Sequence, residues 1–234
     1  MAEARVEVAI SSGWERGHKT DTAFRYITTD VMERGDNPYP NLRWAIYYEL
    51  ESQGDPTVDQ LTSDLEYIRA QYTDRSAYLK INGGPVEFVY AEGPDTSGMA
   101  ERWAEARRRS GFYTVLKVYP GYRNDPNELD SWHQYAPANR IDRQNPYSWA
   151  VSPGFWLDGE GVRLSRDLGA FREAVSAMLA ADVQWKLIET WNEWGEGTAV
   201  EPGEQVIQAK FGQARLDPNG EPFKNYRRVD VCAH

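Results

Sequence analysis

The sequence predicts an α/β fold, and within that class a TIM-like (β/α) barrel, on two observations. Short β-branched and aromatic runs alternate with helical stripes along most of the chain, as a parallel sheet with helical crossovers requires. The first of these runs is also not followed by a phosphate-binding loop: Ser11-Ser12-Gly13-Trp14-Glu15 offers one glycine, which weighs against the open doubly wound sheet that is the second choice. At 234 residues and 41% hydrophobic the chain supports one sizeable core. A barrel domain over residues 1–202 is therefore expected, with a tail over residues 203–234 in which Pro218, Gly220 and Pro222 interrupt any strand or helix period, so that it reads as irregular and packed on the barrel.

The elements follow in order. Arg5 to Ile10 alternates polar and apolar residues and places Val6, Val8 and Ile10 on one face. Leu42 to Tyr48, Val86 to Tyr90, Phe112 to Tyr119, Ser148 to Val151 and Trp185 to Thr190 supply five further strand-like runs. Between them, Val58, Leu61, Leu65, Ile68 and Tyr72 form one helical stripe, and Thr57 with Gln60 has the spacing of a capping box at its start. Met99, Trp103 and Ala106 mark a second helix that Gly111 can end, with Arg107, Arg108 and Arg109 complementing its dipole. Leu168, Phe171, Val175 and Met178 mark a third behind the cap Asp167.

Composition narrows the partners. Thirty-six acidic against 26 basic residues give a net charge of −10, which repels nucleic acid and anionic lipid and favours a neutral ligand. Nine Trp and 14 Tyr serve the core first, but the same rings suit a surface on which sugar faces stack. The single cysteine, Cys232, permits no disulfide framework, and neither it nor the three scattered histidines form a metal-ligand pattern, so no metal and no cofactor are expected. No apolar run is long enough to span a bilayer, and the start lacks a basic-then-apolar leader, which points to a cytoplasmic protein with no membrane partner.

In a parallel barrel the working groups come from the C-terminal ends of strands. Here those ends carry Ser12 and Trp14, then Tyr47, Tyr48 and Glu49, then Tyr90 and Glu92, then Tyr119 and Tyr122, then Ser152, Phe155 and Trp156, and last Asn192, Glu193, Trp194 and Glu196. Aromatic rings with carboxylates at one rim are what a sugar cleft needs, and glycosidic cleavage needs two carboxyl groups in different protonation states. Glu193 and Glu196 have the spacing that brings two side chains to one side of a turn, and Gly195 and Gly197 favour such a turn. Trp194 beside them and their mutual repulsion would raise the pKa of one. Glu193 and Glu196 are thus the candidate catalytic pair, expected to face a cleft ringed by Trp14, Tyr48 and Trp156. Tyr48, Glu49, Tyr90, Trp14, Trp156, Asn192, Trp194 and Glu201 are the binding candidates. A salt-bridged Glu49 and a Glu201 that braces the loop are equally good accounts of those two. For His133, in Trp132-His133-Gln134-Tyr135, a structural hydrogen bond is the favoured role, and His18 is weighed in the same way.

The segment Trp191-Asn192-Glu193-Trp194-Gly195-Glu196-Gly197-Thr198, followed by Glu201-Pro202, resembles the FNEW-x-EGT…EP segment of glycoside hydrolase family 99 and its related domains, best known as endo-α-mannosidases. Trp replaces Phe at the first position. Tyr47-Tyr48-Glu49, Gly84-Pro85-Val86-Glu87-Phe88-Val89-Tyr90 and Ser152-Pro153-Gly154-Phe155-Trp156 also look like strand ends of such domains, so that the likeness spans residues 6 to 202. The resemblance implies a (β/α)8 barrel and retaining cleavage of an α-mannoside or related α-glycoside in an oligo- or polysaccharide. It gives Glu193 the role of base on the substrate's own 2-hydroxyl, through an epoxide-like sugar intermediate, and Glu196 that of general acid and then base. Two departures stand out: the chain opens at what looks like the second strand of such a barrel, and an eighth strand is hard to find after Thr198. The barrel expected is incomplete at its first and last strands, with a sheet edge open to self-association.

Two other readings remain. Asn192-Glu193 also ends a strand in the large retaining β-glycosidase clan, but that clan carries a nucleophile on a later strand and no strand followed by Glu comes after Glu193. A non-catalytic carbohydrate-binding or polysaccharide-assembly domain is favoured by the missing first strand and disfavoured by the intact Glu193 and Glu196.

Overall fold

The computed structural model of the chain describes residues 1–91, 97–127, 129–157, 161–207 and 224–228. Glu92, Cys232 and most of the tail lie outside the described residues. The chain forms two compact units, Met1–Gln134 and Tyr135–His234, a division that no linker in the sequence marks.

In the first unit, β1 (Val8–Gly13), β2 (Arg43–Tyr48), β4 (Gly84–Val89), β5 (Tyr113–Lys117) and β6 (Ser131–His133) lie side by side in that order, and a short β3 (Lys80–Ile81) pairs antiparallel with β4. Every pairing along the main path is parallel. Strands along this path follow one another in sequence order, without the order reversal of a doubly wound sheet, which is consistent with a TIM-like fold. Three helices make the crossovers: α1 (Lys19–Arg25), α2 (Val58–Ile68) and α3 (Ser97–Ser110).

The sequence stripes explain the packing. On α2, Leu61 and Leu65 are fully buried and Ile68 nearly so, and Tyr72 follows them in a π-helical continuation over Arg69–Thr73. Thr57 and Gln60 form the reciprocal capping box, with Thr57 N–H donating to Gln60 at 2.8 Å and Gln60 N–H to Thr57 at 3.3 Å. On α3, Met99, Trp103 and Ala106 are buried, and Gly111, at φ 68°, closes the helix by donating to the Arg107 carbonyl. Each fully buried Leu or Val side chain stabilises by about 1.5–3 kcal/mol relative to exposure. The Arg107–Arg109 run does more than complement the helix dipole: Arg107 pairs with Asp130, Arg108 with Glu105, and Arg109 with Glu105 and Asp59.

In the second unit, β7 (Ile141–Gln144) pairs antiparallel with β8 (Ser148–Val151), and β8 pairs parallel with β11 (Trp185–Ile188) through the crossover helix α4 (Leu168–Ala180). A ribbon of β9 (Phe155–Leu157) and β10 (Gly161–Leu164) intervenes. Asp167 caps α4 by accepting the Ala170 N–H at 2.9 Å. Met178 and Ala174 pack with Trp149 and Val151, while Phe171 and Val175 lie partly buried around them. Leu168, expected on that buried stripe, is the first residue of α4 and is 64% exposed, outside the cluster that Phe171, Val175 and Met178 join. Within the tail expected to be irregular, Gly203–Ile207 and Lys224–Arg228 pair antiparallel as β12 and β13.

Candidate active site at a strand-end turn

β11 delivers the chain to the loop carrying the motif. Glu189 extends its pairing, donating its N–H to the Val151 carbonyl at 3.0 Å, and the peptide to Thr190 is cis. Thr190 and Thr198 then close the neck of a tight loop. Their hydroxyls lie 2.8 Å apart, the Thr190 N–H donates to the Thr198 carbonyl, and the Glu193 N–H donates to Thr190 Oγ1 at 3.0 Å. Arg166 fastens the far side by donating to the carbonyls of Gly197 and Ala199 at 2.7 and 2.9 Å. Gly197 adopts φ 64° against Trp156, a conformation that a side chain would strain.

Within the loop each acid has its own environment. Glu193 is exposed, and its Oε1 accepts the Gly195 N–H at 2.9 Å; a Cβ at Gly195 would meet that same oxygen at 2.9 Å. Glu196 is half-buried, its Oε2 accepting the Tyr135 hydroxyl at 3.0 Å and its carbonyl the Trp156 N–H at 2.8 Å. Glu201 braces the loop, taking the indole N–H of Trp194 at 2.5 Å. Asn192 is exposed at the tip, and its carbonyl accepts the Trp194 N–H.

Tyr135 ties these groups together. Burial first, and then the negative fields of Glu196, Glu189 and Glu193, hold its hydroxyl well above the usual phenol range, so it remains a proton donor. The fields of three carboxyl groups therefore act on one phenol, and one of the three, Glu196, is bonded to it. Glu189 is the buried one, 5% exposed, with both oxygens on the Ala136 N–H at 3.2 and 3.1 Å. Burial, reinforced by Asp142 and Glu196 against the Ala136 hydrogen bond, pushes its carboxyl up to about 8. A protonated acid near neutral pH is thus present beside the motif, at a position four residues before Glu193.

The remaining candidates lie in the first unit, and the parity of β2 sorts them. Tyr48 is buried on the helix side of the sheet, its hydroxyl donating to Asp64 of α2 at 2.9 Å and its ring meeting Trp103 of α3 edge-on at 5.1 Å. Trp14 lines a cleft on the same side with Tyr48, Phe24 and Tyr72. Glu49 is buried at the start of a 3-10 turn over Leu50–Gln53, and its N–H donates to the Gly13 carbonyl. Tyr47 points the other way, its ring 5.7 Å from Tyr90 and 5.4 Å from His133, with Lys117 Nζ 5.7 Å from the Tyr90 ring. Tyr47, Tyr90 and His133 form an aromatic wall at the strand ends. The buried His133 ring is bonded to the Val89 carbonyl at 3.0 Å, and burial lowers its pKa to about 4, which fits the structural role expected for it. His18 caps α1, its Nδ1 accepting the Thr20 N–H.

Tyr135 and Glu189 were not singled out by sequence reasoning. Glu189 carries a signal that strand-end logic offers, a carboxyl at the close of a β run. Among the described residues no group of three or more His, Cys, Asp or Glu is arranged to hold a metal ion, and no helix is long and apolar enough to cross a membrane.

The chain matches no protein-family model and no curated protein sequence. Its structure is similar to that of the GH99 endo-α-mannosidase from Bacteroides thetaiotaomicron in complex with BIS-TRIS-propane, with TM-score 0.66 and 15% identity over 89% of this chain and 73% of that one. A second structure of the GH99 endo-α-mannosidase from the same organism gives TM-score 0.65 and 16% identity over 94% of this chain and 72% of the other. The chain has a GH99-like fold. At this identity the likeness speaks for architecture alone. A GH99-like fold agrees with the parallel, sequentially wound sheet of the first unit and with a strand, β11, that ends in the acidic loop.

Proposed function

We propose that the chain is a glycoside hydrolase that cleaves α-mannosidic or related α-glycosidic linkages of an oligo- or polysaccharide with retention, on a TIM-like barrel. The observation that carries this reading is the loop of Glu193 and Glu196 at the end of β11, with Glu196 held by the Tyr135 hydroxyl at 3.0 Å. The fold likeness and the motif resemblance support it. In this reading Glu193 removes the proton of the substrate's 2-hydroxyl, whose oxygen attacks the anomeric carbon while Glu196 protonates the departing glycosidic oxygen. Water then attacks the anomeric carbon, Glu196 takes its proton, and Glu193 returns one to the 2-oxygen. Because the nucleophile is the substrate's own oxygen, neither carboxylate needs to bond to the sugar, and the usual spacing of paired carboxylates does not apply. Trp156, Trp194 and Asn192 are the proposed sugar contacts, and Glu201 is assigned to bracing Trp194.

Hydrolysis of α-mannoside and α-glucoside polymers by wild type, Glu193→Gln and Glu196→Gln tests the proposal. Loss of roughly two to four orders of magnitude in turnover is expected for each variant. Sugar binding without turnover in all three proteins would instead support a non-catalytic carbohydrate-binding domain.

A further inference from the structure

Glu189 has no part in the chemistry just proposed, yet it is a carboxyl group kept out of water at the mouth of a strand. Its location is informative. Both of its oxygens lie on one backbone donor, Ala136 N–H, and Ala136 is the residue after Tyr135, whose hydroxyl donates to Glu196. Burying an acid behind a single shared N–H is costly. The bond also bridges two elements distant in sequence, the end of β11 and the segment that opens the second unit.

We propose that Glu189 is a positioning residue: by gripping the Ala136 N–H it fixes the Tyr135-Ala136 segment, and so holds the Tyr135 hydroxyl on Glu196. The inference rests on the reading of Glu196 as acid and base. Fixing the phenol matters because a general acid works only when its carboxyl is held within hydrogen-bond reach of the leaving oxygen, and misplacement by about 1 Å can cost on the order of a hundredfold. The charged and titratable groups that act on this cluster are Asp142 of β7, Glu193 and Glu196 of the loop, and Tyr135 itself. All but Tyr135 are acids. An uncharged Glu189 therefore adds no further repulsion to Glu196, whereas an ionised one would.

A double-mutant cycle on polymer hydrolysis tests this. Glu189→Ala should lower kcat about tenfold to a hundredfold with little change in KM. Glu189→Gln, which keeps an oxygen for the Ala136 N–H and carries no charge, should restore most of the loss. In a Tyr135→Phe background Glu189→Ala should add little further, because its effect runs through the missing hydroxyl. Losses that multiply in the double variant, or a kcat unchanged in Glu189→Ala while Glu196→Gln abolishes turnover, would overturn the positioning role alone. An unchanged kcat in Glu196→Gln would overturn the underlying reading as well. One readout is independent of turnover: in protein labelled with 15N-alanine, the Ala136 amide should shift with pH in wild type and stay constant in Glu189→Gln. An Ala136 amide that does not respond in wild type would contradict the contact.

Discussion

Two of the glutamates buried among the described residues, Glu87 in the first unit and Glu189 in the second, have opposite surroundings. Glu87, in the middle of β4, is fully buried on the same sheet face as Tyr48, with one oxygen 3.4 Å from the Thr114 hydroxyl and the other without a hydrogen-bond partner among the described residues. Glu189, just past the end of β11, has both oxygens on a backbone N–H and lies in the field of Glu196. Burial raises the pKa of both. What separates them is position along the strand: mid-strand and helix-facing, a buried acid meets only the core, whereas at the C-terminal end it meets the loop that carries the proposed chemistry.

The largest effect that can break this comparison is on turnover. Glu189→Ala should depress kcat as described, whereas Glu87→Gln, an isosteric change far from the loop in sequence and facing helices, should leave kcat unchanged per folded molecule. Equal losses in steady-state assays would erase the distinction.

The next effect is on stability against pH. An acid whose folded pKa lies above its unfolded value holds a proton that the unfolded chain has released. The stability it supports is fully present below about 4.5 and is lost as pH rises through that value towards the folded pKa, about 8 for Glu189. The slope reaches about 1.4 kcal/mol per pH unit for each such group. Urea unfolding at pH 5 and pH 8 should show a marked loss at the higher pH, and either Glu87→Gln or Glu189→Gln should reduce it.

Smaller effects sharpen the assignment of β2 faces. Tyr48→Phe removes a hydrogen bond to a carboxylate and should cost about 1.5–3 kcal/mol of stability with KM unchanged. Smallest of all, Thr57→Ala should cost about 1 kcal/mol through the lost cap of α2, with no change in turnover.

Much of the architecture was legible because burial and periodicity coincide. The stripe Leu61, Leu65, Ile68, the Thr57 and Gln60 cap, and the Gly111 stop all follow from local rules that tertiary packing did not override. β6 was not legible: Ser131-Trp132-His133 is too short to show a period, and its pairing with Val115–Lys117 comes from the sheet rather than from its own residues. Tyr47 and Tyr48 could not be told apart, since two adjacent aromatics at a strand end fit either parity and only the register with Phe88 and Val89 decides. The turn at Gly195 and Gly197 was visible in composition. The partners of its acids were not: Tyr135 lies 61 residues from Glu196, and no local pattern announces a hydrogen bond at that separation.

The central proposal is that Glu196, held by Tyr135, hands a proton to the leaving oxygen. Comparing kcat/KM of wild type and Glu196→Gln on an α-mannoside with a sugar leaving group and on one with a dinitrophenyl leaving group tests it most directly. A loss of roughly two to four orders of magnitude on the first and little loss on the second, which needs no proton to depart, is predicted. Equal losses on both substrates, or none on either, would contradict it.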